Sequence, residues 1–269
     1  MSLIVPLYVY PAPGVWDPLY WAAGNHTGLN ITVILNPCSG PCVAPLAQPY
    51  LDEIPKLKQY PNIRTLGYVA TNYTDRAVEE VLQEVERYSE WEGMMEGGKM
   101  GIDGIFLDEV PGTYDWRSEE YLKKVTEKVM EWRGTRKTNG TNGINGTEVR
   151  GLGEGVVVHN PGTLPYQTWN YLHLANLTVI FENTFDVFIE STTFYKLKSL
   201  TTTYSLPKDR FAIMLHSVPD IPDELTRWLV TELREMCDWS FVSSIGEKDE
   251  YWHAFSGIFE RYVGWSDWI

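Results

Sequence analysis

The sequence predicts an α/β fold, a (β/α)8 TIM barrel in a single domain, on three observations. Short apolar runs rich in Val, Ile, Phe and Tyr recur eight times along the chain. Amphipathic helical stretches separate them, and such alternation implies a parallel sheet covered by helices. The length, 269 residues, suits one closed barrel of this kind, which takes roughly 250 residues.

The runs can be taken in order: Leu3–Tyr10, Asn30–Asn36, Ile63–Ala70, Ile102–Glu109, Gly155–Asn160, Leu177–Asn183, Phe211–Ser217 and Trp239–Ile245. Their nearly continuous hydrophobicity marks strands buried on both faces. The clearest helical patterns are DRAVEEVLQEVERYSEW after the third run, SEEYLKKVTEKVMEW after the fourth and DELTRWLVTELREM after the seventh. Thr74-Asp75 and Pro222-Asp223 read as helix starts, with acids in the first turn where the helix dipole favours them. The segment 134–155, rich in Gly, Asn and Thr, is expected to be a mobile insertion between the fourth helix and the fifth strand, within the one domain.

Acidic residues number 36 against 22 basic ones, a formal net charge of -14. Polyanions would be repelled, so nucleic acid is excluded as a partner. No apolar run approaches the roughly 18 residues of a membrane span. Cys38 and Cys42 in NPCSGPC fit a short-range disulfide. A zinc site would need two further ligands at short spacing, and none follows. Cys237 reads as a small buried hydrophobe. Neither a metal nor any other cofactor is expected, and the chain is expected to act as a monomer.

Six sequons, at Asn25, Asn30, Asn72, Asn139, Asn145 and Asn176, stand among twelve asparagines. That is several times a chance frequency, and it points to a eukaryotic secretory route, with the protein secreted or anchored at the cell surface. The opening MSLIVPLYVYP carries neither a basic segment nor a cleavage site, so the expectation is that a native leader or anchor has been removed. Asn25, Asn30, Asn139, Asn145 and Asn176 precede strands and are expected to carry glycans at the amino end of the barrel. Asn72 follows a strand and is expected to be unoccupied or turned outward.

In such a barrel the chemistry sits at the carboxyl ends of the strands. The residues ending the runs are Tyr10, Asn36, Thr71, Asp108, Glu109, His159, Asn160, Glu182, Asn183, His216 and Ser217. Asp108 and Glu109 on the fourth strand face Glu182 on the sixth, the carboxylate arrangement that glycoside hydrolysis requires. Adjacent acids raise one another's pKa, so Asp108 and Glu109 are expected to hold one proton between them near neutral pH. Glu190, in the loop after the sixth strand, competes for the role of second carboxylate, whereas Asp103 lies far down its strand and reads as a structural turn acid. His159 and His216 are expected to hydrogen-bond a sugar or orient an acid. Tyr8, Tyr10, Trp16, Tyr68, Trp116 and Trp252 supply rings near the same mouth, suited to stacking on sugar faces. Asn36 and Asn160 complete the expected sugar contacts. No GxxxxGK[ST], GxGxxG or GxSxG motif is present, which disfavours nucleotide, dinucleotide and serine-hydrolase chemistry.

VPLYVYPAPGVWDPLY near the start, GIDGIFLDEV in the middle and FEN in the sixth run together resemble the fungal spherulin-4-like proteins, glycoside hydrolase family 135, over nearly the whole chain. The resemblance implies a β/α barrel that cuts α-1,4-linked N-acetylgalactosamine in galactosaminogalactan, a secreted polysaccharide of fungal cell walls and biofilms. It also implies that Asp108, Glu109 and Glu182 are the functional acids. In an α-linked N-acetylgalactosamine the acetamido group and the leaving oxygen share one side of the ring, so the protein must supply both carboxylates itself. Two other classes compete with this enzyme reading: a carbohydrate-binding barrel without activity, and a structural wall protein.

Overall fold

A computed structural model describes residues 1–139, 147–163, 171–203, 205–248 and 250–268 of the chain. Its strands are β1 (Ser2–Leu7), β2 (Ile31–Leu35), β3 (Ile63–Ala70), β4 (Gly104–Asp108), β5 (Thr135–Asn139), β6 (Thr147–Gly151), β7 (Val156–His159), β8 (Leu177–Thr184), β9 (Phe211–His216) and β10 (Trp239–Val242). Eight of them close into a parallel barrel in chain order, with β10 returning to pair with β1 at Ser2↔Trp239 and Leu3↔Ser240. The single-domain TIM-type barrel expected from the alternating pattern is the fold observed. Every residue of β2 and of β7 is buried, as the unbroken apolar runs require.

Around the barrel run α1 (Asp17–Asn25), α2 (Gln48–Leu57), α3 (Val78–Glu90), α4 (Trp116–Glu131), α5 (Phe185–Ile189), α6 (Ser191–Thr202), α7 (Asp223–Met236) and α8 (Phe259–Trp268). The three helices legible in sequence are α3, α4 and α7. On α7, Thr226, Leu229, Val230, Leu233 and Met236 form the buried stripe, at the three- and four-residue spacing that turns one face to the sheet. α3 buries Val81, Val85 and Tyr88 in the same way. Its helix begins at Val78 rather than at Asp75, because residues 72–74 first curl into a left-handed turn.

Close approach of helix to sheet depends on Gly67 in β3. A Cβ there would stand 2.7 Å from the ring of Tyr88, whose hydroxyl donates to the carbonyls of Tyr68 and Leu35. One missing side chain thus lets α3 lie against β2 and β3.

The segment expected to be a mobile insertion is instead built on a hairpin. β5 and β6 pair antiparallel from Thr135↔Gly151 to Asn139↔Thr147. Leu152 N–H donates to the Trp132 carbonyl and Gly134 N–H to that of Gly153, which fastens its base. Arg150 reaches Glu86 and Glu90 on α3, both at 3.2 Å. A cross-strand ladder satisfies the backbone without a hydrophobic face, so composition alone could not reveal it.

The loop after β2 carries the expected disulfide, Cys38–Cys42, with Cα atoms 5.2 Å apart. Cys237 is buried and free. Asp103 lies at the amino end of β4, where it accepts from the backbone N–H of Thr65 and pairs with Lys58 at 3.0 Å; it is the structural acid expected. Among the described residues no helix is long and apolar enough to cross a membrane.

Candidate active site

Asp108 is the last residue of β4, in register with Ala70 of β3, and Phe106 two residues earlier pairs with Tyr68. Two-residue periodicity puts Phe106 and Asp108 on one side of their strand; the rings of Phe106 and Tyr68 stack with centroids 6.3 Å apart, and Tyr8 meets Tyr68 edge-on at 5.5 Å. These rings floor the carboxyl-terminal mouth of the barrel, and Asp108 stands on them.

Strict alternation would send Glu109 away from the mouth, but Glu109 has φ 54°. That left-handed turn swings the backbone, and the Glu109 carboxylate comes close enough to help raise the pKa of Tyr68. Surrounding bonds hold the corner: Thr71 Oγ1 donates to the carbonyls of Asp108 at 3.1 Å and Glu109 at 2.7 Å, Tyr73 N–H donates to the Glu109 carbonyl at 2.7 Å, and Glu109 N–H donates to Asp108 Oδ1 at 2.8 Å. A non-glycine residue in this conformation persists only where its neighbours over-determine it.

Opposite, β8 carries an irregularity between Val179 and Phe181. Phe181 packs on Phe188 of α5, with ring centroids 6.0 Å apart, and the next residue, Glu182, turns into the mouth. Asn160 joins the two acids. Its Nδ2 donates to Asp108 Oδ1 at 2.7 Å and to Glu182 Oε2 at 2.5 Å, while its Oδ1 accepts from Gly162 N–H at 3.0 Å. One nitrogen serving both carboxylates holds their nearest oxygens within about 5 Å of each other. Trp252, in the loop after β10, donates Nε1–H to Glu182 Oε1 at 2.9 Å.

Burial raises the pKa of both acids. For Asp108 the rise is opposed by hydrogen bonds from Tyr68, the Glu109 amide and Asn160. Glu182 is pushed up to about 7, by burial first and then by the charge of Asp108, against the donors Trp252 and Asn160. The acids that raise one another's pKa are Asp108 and Glu182, because one amide clamps these two together at the half-buried mouth.

Other expectations need correction. His159 is 1% exposed and faces away from the mouth, among Val110, Pro111, Tyr171 and Thr178; burial lowers its pKa to about 3, so it stays a neutral wall residue and not a sugar ligand. The one-residue step to Asn160 puts them on opposite strand faces. Trp16 is buried and donates Nε1–H to the Val9 carbonyl, so it belongs to the core. Trp252 is 5% exposed and orients an acid; it offers no open stacking face. Tyr68 likewise holds Asp108 through its hydroxyl. Asn36 Oδ1 accepts from Gly40 N–H at 2.9 Å, which ties down the disulfide loop. Glu190 is exposed between α5 and α6, outside the hydrogen-bonded acid cluster.

Tyr8 and His216 remain half-buried at the mouth, and Tyr10 and Trp116 stand exposed near it. His216 stacks on Tyr251 with ring centroids 4.1 Å apart and meets Trp252 edge-on. Sequence reading missed Tyr251; its only local signal is its place beside Trp252. Asn25, Asn30, Asn72 and Asn176 are exposed, Asn139 lies in β5, and Asn145 falls outside the described residues. A cavity of about 420 Å³ lined by Thr32, Arg64, Glu154, Asn176 and Trp239 opens at the amino end, away from the acid pair. Among the described residues no cluster of His, Cys, Asp or Glu is arranged to hold a metal ion.

Comparison with known proteins bears on this arrangement. The family model of Spherulin4, the spherulation-specific family 4, matches residues 2–265. Spherulin-4 of Physarum polycephalum is 32% identical over 183 residues, covering 68% of this chain and 45% of that protein; the chain thus spans about half the length of that relative. The crystal structure of Aspergillus clavatus Sph3 in complex with GalNAc superposes with a TM-score of 0.84 at 35% identity, over 99% of this chain and 97% of that one.

Proposed function

Because the chain belongs to the spherulin-4 family, we propose that it is a glycoside hydrolase that cleaves α-1,4-linked N-acetylgalactosamine within galactosaminogalactan. The GalNAc named in the Sph3 complex supports the sugar. The observation that carries the chemistry is Asn160 Nδ2 bonded to both Asp108 and Glu182. One amide keeping their nearest oxygens within about 5 Å of each other favours the close-set pair of retaining enzymes over the wider pair with which inverting enzymes admit a water.

In this reading Asp108, with three donors favouring its ionised form, is the nucleophile. Glu182, the acid whose pKa lies near neutrality, is the proton donor. Asp108 attacks the anomeric carbon while Glu182 gives its proton to the departing glycosidic oxygen. Glu182, now ionised, then takes a proton from water, whose oxygen displaces Asp108 and restores both groups. The Glu109 side chain, brought near Tyr68 by its left-handed turn, is assigned in this reading to favour the positive charge that develops on the sugar ring. Every group comes from one chain, so the reading needs no second copy.

A secreted or cell-surface setting belongs to the same reading; the Cys38–Cys42 disulfide and the exposed sequons support it. The test is release of reducing ends from purified galactosaminogalactan, with the anomer of the first product read by NMR. Release of the α anomer is expected. A lectin or wall component would release nothing, and a β product would assign an inverting enzyme.

A further inference from the structure

Asn72, Tyr73 and Thr74 have φ of 47°, 55° and 70° in succession, a full left-handed turn without glycine. Two of the three have a local explanation. Asparagine tolerates this region better than most residues, and Thr74 Oγ1 bonds Ser118 Oγ of α4 at 2.8 Å. Tyr73 has none. Its backbone N–H bonds the Glu109 carbonyl, which any residue other than proline would do, and its ring is 59% exposed with no ring or hydrogen-bond partner among the described residues. The chain therefore keeps an aromatic side chain in water, in a backbone conformation that disfavours it.

The turn is continuous with the acid corner. Thr71 and Tyr73 hold the carbonyl of Glu109, so the ring is attached to the wall of the mouth at a fixed offset from the carboxylates. Trp116, at the start of α4, is exposed to the same degree, and the Thr74–Ser118 bond lies within two residues of both rings. A flat exposed ring on a rigid mount takes the apolar face of a pyranose. Strain retained beside a reaction centre, with no packing in return, marks a functional side chain.

We propose that Tyr73, together with Trp116, forms a sugar subsite on the β3–β4 rim, which binds a pyranose unit of the polymer beyond the one whose bond is cut. This inference rests on the hydrolase reading and adds to it a site for the extended polysaccharide chain.

Tyr73→Gly separates function from structure, because glycine adopts the left-handed conformation freely. The melting temperature should rise by about 2–4 °C. Calorimetry in the Asp108→Asn background, where substrate is not consumed, should show affinity for an α-1,4-linked N-acetylgalactosamine oligomer of about six units falling roughly tenfold. Affinity for the monosaccharide should not change, and Tyr73→Trp should retain oligomer binding. A fall in melting temperature would make the ring a packing element and overturn the subsite. Equal oligomer affinity with and without the ring would overturn it too. Wild-type protein that binds the oligomer with Tyr73 dependence yet releases no reducing ends would leave the subsite standing and remove the hydrolase.

Discussion

The side chain that organises the mouth is an amide rather than an acid. Asn160 limits the separation of Asp108 and Glu182 and donates to both, so each half-buried carboxylate has a partner instead of standing alone. Asp108→Asn and Glu182→Gln should each lower turnover by orders of magnitude while leaving the melting temperature within a few degrees, since they remove charge and not volume; kinetics beside thermal melts check this. Trp252 tunes the acid. Its N–H stabilises ionised Glu182, so Trp252→Phe should raise that pKa. A proton donor works below its pKa, and the basic limb of the rate profile, placed near 7 by Glu182, should move to higher pH in the variant. An unmoved basic limb would detach Trp252 from the acid. Asp108, Glu109 and Glu182 were legible as strand-end acids, whereas the use of Asn160 and Trp252 as holders of acids was not, because a hydrogen bond between residues 70 positions apart leaves no local pattern.

At the scale of elements, helices and strands were legible wherever one periodicity dominates. α3, α4 and α7 carry apolar stripes at helical spacing, and the barrel strands are continuous apolar runs. α5 and α6 follow one another between β8 and β9 without such a stripe in the sequence reading, and the β5–β6 hairpin is held by backbone pairing that polar composition hides. Helix-to-strand contact tests the layer packing. Gly67→Ala puts a methyl 2.7 Å from the ring of Tyr88, an overpacking that should cost about 1–3 kcal/mol. Denaturant unfolding should show a lower midpoint with an unchanged slope. Wild-type stability in this variant would mean that α3 can slide outward at little cost.

For the whole molecule, barrel polarity separates the acid pair from most of the exposed sequons. Asn25, Asn30 and Asn176 are exposed at or before the amino ends of their strands, opposite the acid pair. Asn→Gln at each should leave turnover of the protein from a eukaryotic secretory host within about twofold of wild type. Stability at Asn176 should fall by about 1 kcal/mol, because its Oδ1 accepts from Val157 N–H and glutamine holds that oxygen one methylene further out. Glycopeptide mapping with kinetics on each variant checks both. A large catalytic loss at any of the three would place part of the site at the amino end.

By itself the sequence determined the barrel, its polarity and the placement of three acids at strand ends, because each follows from short-range pattern: apolar runs of strand length, helical stripes between them, and polar residues where the runs stop. It also determined the short disulfide. Tertiary structure decided which two acids one amide clamps, which rings are open and which are walls, and which histidine faces the mouth. Those outcomes turn on single-residue steps. Glu109 departs from strand alternation through one left-handed residue, His159 and Asn160 face opposite sides of one strand, and the geometry of the acid pair depends on where the closed barrel brings β4, β7 and β8 together.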